Sequence, residues 1–322
     1  MWIWIFKCLT AHILTCRKQY VMTDYIILTV AALFIAGDFA INKLYQKRSG
    51  TSLRAGFLFN ALLGLFTAII FFVANGFKLN FSIFSAVMAL ALTAFTVTYN
   101  LLGFRILKSG SMAMYTLFLM SGGTIIPYVW GMLFLDERPS FLRSLGLVFI
   151  IGAVIVSNIS KKSFNKKQLI MCIAVFVLNG CVSVISKLHQ IDVTYGAVSS
   201  TDFVILSGIS KFILAGAVYL VILFKERKKN NKIEGSQRAH TVSLNKWVIP
   251  LLIVSSAVVN GVGYFLQLIG AEQLPATLLY PFITGGGMIF STLIGILLFK
   301  EKPTKQLLCG IVLCFIGTLL LI

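Results

Sequence analysis

Apolar and polar residues along this chain come in blocks rather than in alternation. Runs of about 18–25 mostly apolar residues are parted by short polar punctuation, and each run, as a helix, crosses a hydrocarbon core about 30 Å thick. Ten such runs predict helices at roughly 25–45, 55–74, 82–103, 111–134, 141–158, 168–188, 202–224, 247–269, 276–299 and 304–321. The alternating segments of about ten residues that a membrane barrel requires are absent. The pattern therefore predicts an all-α integral membrane protein. Most connections are short. One, "KERKKNNKIEGSQRAHTVSLNK" (225–246), is polar and basic and is expected to be a mobile loop.

The second half of the pattern repeats the first. Laying 121–146 on 285–310 without a gap puts Gly122, Gly123, Gly131, Glu137, Pro139 and Gly146 on Gly286, Gly287, Gly295, Glu301, Pro303 and Gly310. "INKLYQ" (41–46) likewise returns as "ISKLHQ" (185–190), carrying Lys43 onto Lys187. Residues 22–160 and 161–322 are thus expected to be two five-helix repeats. Because five is odd, the second copy must enter the membrane upside down, an inverted repeat suited to secondary transport by alternating access. Lys43 and Lys187 close their helices, where snorkelling to an interface is the expected role. Glu137-Arg138-Pro139 and Glu301-Lys302-Pro303 read as helix ends with interfacial charges.

Residues 1–21, "MWIWIFKCLTAHILTCRKQYV", fit no element cleanly. Lys7 and His12 break the run, and no small-residue cleavage site follows it, so a signal peptide is not expected. An over-long start, an interfacial tail and an extra helix all stay open.

Composition and charge narrow the class further. At 58% hydrophobic and 12% charged, the chain holds about half the charge of a soluble protein. The net charge of +18 raises nucleic acid as a partner, but the basic residues sit between apolar blocks instead of in one patch. Basic loops facing the cytoplasm explain them, and no nucleic acid is expected. The side opposite the basic loops holds only Lys78, Arg138, Arg143 and Lys187, which places both ends of the ten-helix unit outside the cell (plasma) membrane. The six cysteines form no CxxC pair, and five of them lie within apolar runs, as small packing residues do, so neither a metal site nor a cofactor is expected.

Few residues inside the spans carry chemistry. Asp38, in the first, shares a face with Asn42 and Tyr45; Lys211, in the seventh, has Ser207 one turn earlier on its face. Charge at this depth marks candidate substrate or coupling groups, the alternative being a structural polar pair. Polar stripes run along the eighth helix (Asn260, Tyr264, Gln267), the third (Thr96, Asn100) and the sixth (Asn179, Ser183, Ser186), and Tyr115 and Tyr280 precede the glycine clusters. A shared central cavity is expected there, with interhelical hydrogen bonding and aromatic packing as alternatives. Gly122, Gly123, Gly285, Gly286 and Gly287 remove side chains where helices meet, and Pro127 and Pro281 interrupt the ladder beside them, so these seven read as hinges or packing surfaces.

"SGGTIIPYVWGMLFLDERPSFLRSLGLVFIIGAVIV" (121–156) and "LYPFITGGGMIFSTLIGILLFKEKPTKQLLCGIVLCFIGTLLL" (279–321) resemble the ten-helix EamA type of the drug/metabolite transporter superfamily, a likeness that covers about 300 residues. Residues 25–47 also look like the first helix of that superfamily's small multidrug exporters, with Lys43 on a shared lysine. The exporters' membrane glutamate, however, falls on Ile35, so their proton-antiport mechanism does not carry over. The resemblance implies cytoplasmic termini, opposite to the charge count. It also implies export of a small organic metabolite, as a monomer or homodimer in the lipid bilayer, with proton coupling one option. The alternatives are a non-transporting sensor or scaffold and an intramembrane enzyme. No HExxH, GxSxG or Walker loop supports catalysis, and an enzyme is not expected.

Overall fold

A computed structural model of the chain describes residues 2–50, 52–108, 112–158, 166–230, 248–300 and 304–321, with side chains from Thr23 onward except at 104, 107, 108, 112–114, 158 and 228–230. It is all-helical over these residues: α1 (Trp2–Ser49), α2 (Leu53–Ala74), α3 (Ile83–Lys108), α4 (Met112–Phe134), α5 (Phe141–Asn158), α6 (Lys166–Ile191), α7 (Ser200–Asn230), α8 (Val248–Gln273), α9 (Ala276–Phe299) and α10 (Lys305–Leu321). Eight are long and apolar enough to cross a membrane, and α5 and α10 are shorter apolar helices. Large apolar side chains such as Ile83, Phe141, Val148 and Leu297 stand exposed on the outside, where lipid rather than water is the solvent.

Two expected boundaries move. Residues 2–21 continue into α1 as one 48-residue helix rather than forming a separate one. The first residues of the loop expected over 225–246 belong to α7, which runs to Asn230; residues 231–246 lie outside the described residues. Glu301, Lys302 and Pro303 also lie outside them, as do the side chains of Cys8 and Cys16. Of the remaining cysteines, Cys172 and Cys314 are buried, Cys181 is half-buried and Cys309 is exposed; all four are free thiols.

The ends of the elements follow from local chemistry. Ser52 Oγ accepts the Ala55 N–H at 3.2 Å and caps α2. Asp136 and Lys300, which the repeat alignment superposes, end α4 and α9 with φ of 51° and 52°. Inside α4, Pro127 has no N–H to give to the Gly123 carbonyl; Ser183 Oγ on α6 donates to that oxygen instead, at 3.3 Å. Both α4 and α9 run unbroken through their prolines, Pro127 and Pro281.

Exchanging α1–α5 with α6–α10 maps the main packing pairs onto one another. The α1–α8 and α1–α9 contacts return as α6–α3 and α6–α4, while α2–α7 and α5–α10 map onto themselves. The correspondence reaches single residues. A Cβ on Gly122 would lie 2.1 Å from the Phe176 carbonyl oxygen on α6, and one on Gly286 would lie 2.9 Å from Ala32 Cβ on α1. Residues 32 and 176 are equivalents in the spacing that relates the lysines 43 and 187. At the centre, a Cβ on Gly64 would sit 2.7 Å from the Gly208 oxygen, and one on Gly208 would sit 2.8 Å from the Gly64 oxygen. Here α2 and α7 touch backbone to backbone.

Gly122 and Gly152 separate packing from mere helix propensity. Gly122→Leu is expected to lower the folded yield and cut the unfolding midpoint sharply, since overpacking costs about 1–3 kcal/mol or more. Gly152→Leu, whose Cβ meets nothing within 4 Å, should leave both unchanged. Thermal unfolding of the purified protein in detergent reads the difference.

Candidate functional site

Between the halves lies a cavity of about 320 Å³, walled by α1–α4 and α6–α9; α5 and α10 pack against each other away from it. Among the described residues, Lys211 is the one Lys, Arg, Asp, Glu or His side chain on its wall. The α2–α7 crossing puts it there. With no Cβ on Gly64, the α7 backbone comes close enough for Lys211 Cβ to lie 2.9 Å from where that atom would be. Beside Lys211, one turn back, Ser207 also faces the cavity.

The wall is symmetric in position and asymmetric in chemistry. Ile35 and Asn179, Phe39 and Ser183, Thr67 and Lys211, and Met120 and Thr284 are equivalent pairs under the repeat, and all eight line the cavity. The first half mostly supplies apolar members; the second supplies amide, hydroxyl and ammonium groups.

Asp38 is buried, 7% exposed, but stands behind the wall rather than on it. Its carboxylate accepts from Ser256 Oγ, from Asn260 Nδ2 at 3.0 Å and from Asn42 Nδ2 at 3.2 Å. Lys211 acts on it as a counter-charge without a salt bridge. Hydrogen bonds to a charged group contribute about 1.5–3 kcal/mol each. Three of them make a carboxylate tolerable where insertion alone costs about 2.5–3.5 kcal/mol. They also occupy both oxygens.

The other sequence candidates divide cleanly. Thr96, Asn179, Asn260, Tyr264, Gln267 and Tyr280 line the cavity with Lys211, as do Gly123 and Gly287. Asn179 Nδ2 donates to the Leu119 carbonyl at 2.7 Å, reaching it over Gly123, where a Cβ would block the amide. Tyr264 pairs with Ser186 Oγ at 3.0 Å, and the Tyr280 hydroxyl donates to the Ser183 carbonyl. Asn42 joins Asp38 behind the wall, and Asn100 is off it. The Tyr115 ring packs over Gly103 among Ile106, Cys172 and Val175, also away from the cavity. Gly122, Gly285 and Gly286 serve helix contacts with α6, α10 and α1.

Several contributors escaped the sequence reading. Tyr99, Thr67 and Thr284 line the cavity from helices with no conspicuous stripe at those positions. Ser256, one turn before Asn260, would have extended the α8 stripe. Two charges do work of another kind. The half-buried Glu137, expected as an interfacial charge, accepts the N–H of Ala276 at 2.7 Å and of Thr277 at 2.8 Å, capping α9 from across the repeat. Lys187, expected to snorkel, is instead buried, 5% exposed, and donates to the carbonyls of Ala271 and Leu274 at 2.6 Å each, closing the end of α8. Its counterpart Lys43 lies over the Phe299 ring, 4.9 Å from the centroid.

The same end of the bundle is tied further. Asp202 accepts from Asn75 Nδ2 and Asn80 Nδ2, both at 3.0 Å, joining the α2–α3 loop to α7. Gln190 Nε2 donates to His189 Nδ1, which leaves the ring proton on Nε2 for Ser85 Oγ at 2.9 Å. His189, stacked against Phe203, is thus a neutral bridge between α6 and α3.

Eight apolar helices around a cavity with one charged side chain among the described residues, braced by α5 and α10, define an integral membrane protein with a solute-sized interior. The model of the EamA-like transporter family, a family of the drug/metabolite transporter superfamily, matches residues 168–322 of the chain. A solved chain described as "Crystal structure of protein" has the same fold, with TM-score 0.69 at 14% identity over 93% of this chain and 96% of its own. Among curated proteins, none matches.

The Glu137 cap is directly testable. Glu137→Ala is expected to cost about 1–2 kcal/mol, as lost N-caps do, and to speed amide exchange at residues 276–279. Exchange at the start of α10 should not change. Hydrogen exchange with mass spectrometry checks both.

Proposed function

We propose that this chain is a secondary active transporter that exports a small organic metabolite across the plasma membrane. It would do so by alternating access of two inverted five-helix repeats, residues 22–160 and 161–322. The carrying observation is the cavity: lined by both halves midway along their helices, mixed polar and apolar, and holding one charge among the described residues. A scaffold has no need of such a space. Outward direction follows the likeness of 25–47 to the small exporters.

Equivalent contacts on the two halves support alternation, because exchange of their conformations reverses the side that opens. Lys187 and Glu137 hold the α8–α9 connection, and Asp202 and His189 hold α2, α3, α6 and α7 together at the same end. These ties belong to the lysine-poor end, which the charge distribution puts outside. The reading makes the described conformation the one closed outward. Opening it requires the polar contacts at that end to be released together.

The test is flux in proteoliposomes with a metabolite panel. Saturable counterflow of at least one organic solute is expected. Gly287 lines the cavity, and a Cβ there meets nothing within 4 Å. Gly287→Leu should therefore cut flux at least tenfold with an unchanged unfolding midpoint. No saturable flux for any solute would favour a non-transporting sensor or scaffold.

A further inference from the structure

We propose that the cavity takes a small amphipathic organic monoanion, its carboxylate held by Lys211 and Ser207 and its apolar body against Ile35, Phe39 and Met120. The inference deepens the transport reading and rests on it.

Two unsatisfied donors carry it. Lys211 makes no hydrogen bond among the described residues, and its one electrostatic partner, Asp38, already has both oxygens occupied by neutral donors. Ser207 Oγ is buried, on a residue 6% exposed, and makes no hydrogen bond of standard geometry; the Tyr264 hydroxyl is close enough to interact with it but pairs with Ser186. A buried hydroxyl left unmade costs free energy, and an ammonium in a low-dielectric wall costs more. The two sit one turn apart on the same face of α7, both on the cavity wall. A carboxylate has two oxygens to offer such a pair. A cationic group on the solute would find no carboxylate on the wall among the described residues, because Asp38 stands behind it with both oxygens already accepting.

The asymmetry of the wall fixes the rest of the solute. Ile35, Phe39 and Met120 supply apolar surface on the same wall, against which an apolar body can lie. At about 320 Å³ the space is near the small end of ligand cavities, roughly 300–1,000 Å³, which suits a metabolite. Charge also gives a direction. Lys211 and Asp38 compensate each other, so the loaded site carries the solute's negative charge, and an inside-negative membrane potential drives it outward.

The experiment is a charge series on the purified protein in nanodiscs at fixed ionic strength. Benzoate, phenylacetate and hexanoate are each compared with their primary amides and matched amines, binding being read by the unfolding midpoint. Carboxylates should raise the midpoint, with amides and amines at least tenfold weaker. Lys211→Gln should abolish the preference and Lys211→Arg retain it. If Lys211→Gln fails to fold, Ser207→Ala decides: it should fold normally and bind carboxylates about tenfold more weakly. Amides or amines binding as well as carboxylates would overturn the proposal. So would a wild-type protein that binds none of the carboxylates, or a Ser207→Ala variant that binds them undiminished. In proteoliposomes, outward flux of the bound carboxylate should rise with inside-negative potential. Saturable flux confined to neutral or cationic solutes would sink the anion site and leave transport standing. Carboxylate binding without flux would do the reverse.

Discussion

The backbone contact of α2 with α7 at Gly64 and Gly208 governs the interior of this protein. In lipid, helices gain nothing by hiding apolar side chains from water, so association depends on close packing and on polar contacts between them. Two glycines facing each other remove both Cβ atoms from the crossing and allow approach to 2.7–2.8 Å of where they would stand. That approach sets Ser207 and Lys211 at the cavity. A side chain on either glycine would push α7 outward and carry its donors with it.

Around this crossing, polar groups are satisfied to very different degrees. The Asp38 cluster is closed, with three donors on one carboxylate. At the lysine-poor end, Glu137 and Lys187 serve the orphan N–H and C=O groups that every helix terminus leaves, joining α8 to α9 from outside their own turn. Satisfied groups of this kind are structural. Against that background, the Ser207 hydroxyl and the Lys211 ammonium, both on the cavity wall and neither in a hydrogen bond of standard geometry, stand out as groups awaiting a partner. Function in a membrane interior is found most readily where satisfaction stops.

The duplication supplies the frame and its divergence supplies the chemistry. Gly122 and Gly286 meet equivalent positions on α6 and α1, and Asp136 and Lys300 share one backbone conformation. Yet under the repeat Thr67 corresponds to Lys211, and Ile35 to Asn179. Packing constrains both copies alike, because helix contacts must be made in each. The cavity wall carries no such constraint, so the two copies are free to differ there. Lys43 and Lys187 show the same freedom: one lies over an aromatic ring and the other binds carbonyls.

Hydrophobic blocks by themselves determined the ten helices and several boundaries; α5 and α9 begin and end where the pattern places them. They also singled out Lys211 and the α8 stripe, because a charge or a polar row in an apolar run is visible without coordinates. What only the tertiary structure decided is which polar groups already have partners. Asp38 and Lys211 look alike in sequence, two charges at similar depth. Their difference lies in Ser256 and Asn260, more than 200 residues from Asp38 along the chain. Lys187 looked fit to snorkel until α8 ended against it. The sequence sets where a polar residue sits along its own helix, whereas hydrogen bonding depends on what neighbouring helices present at that depth. That is settled only when glycines such as Gly64 and Gly208 let the helices close.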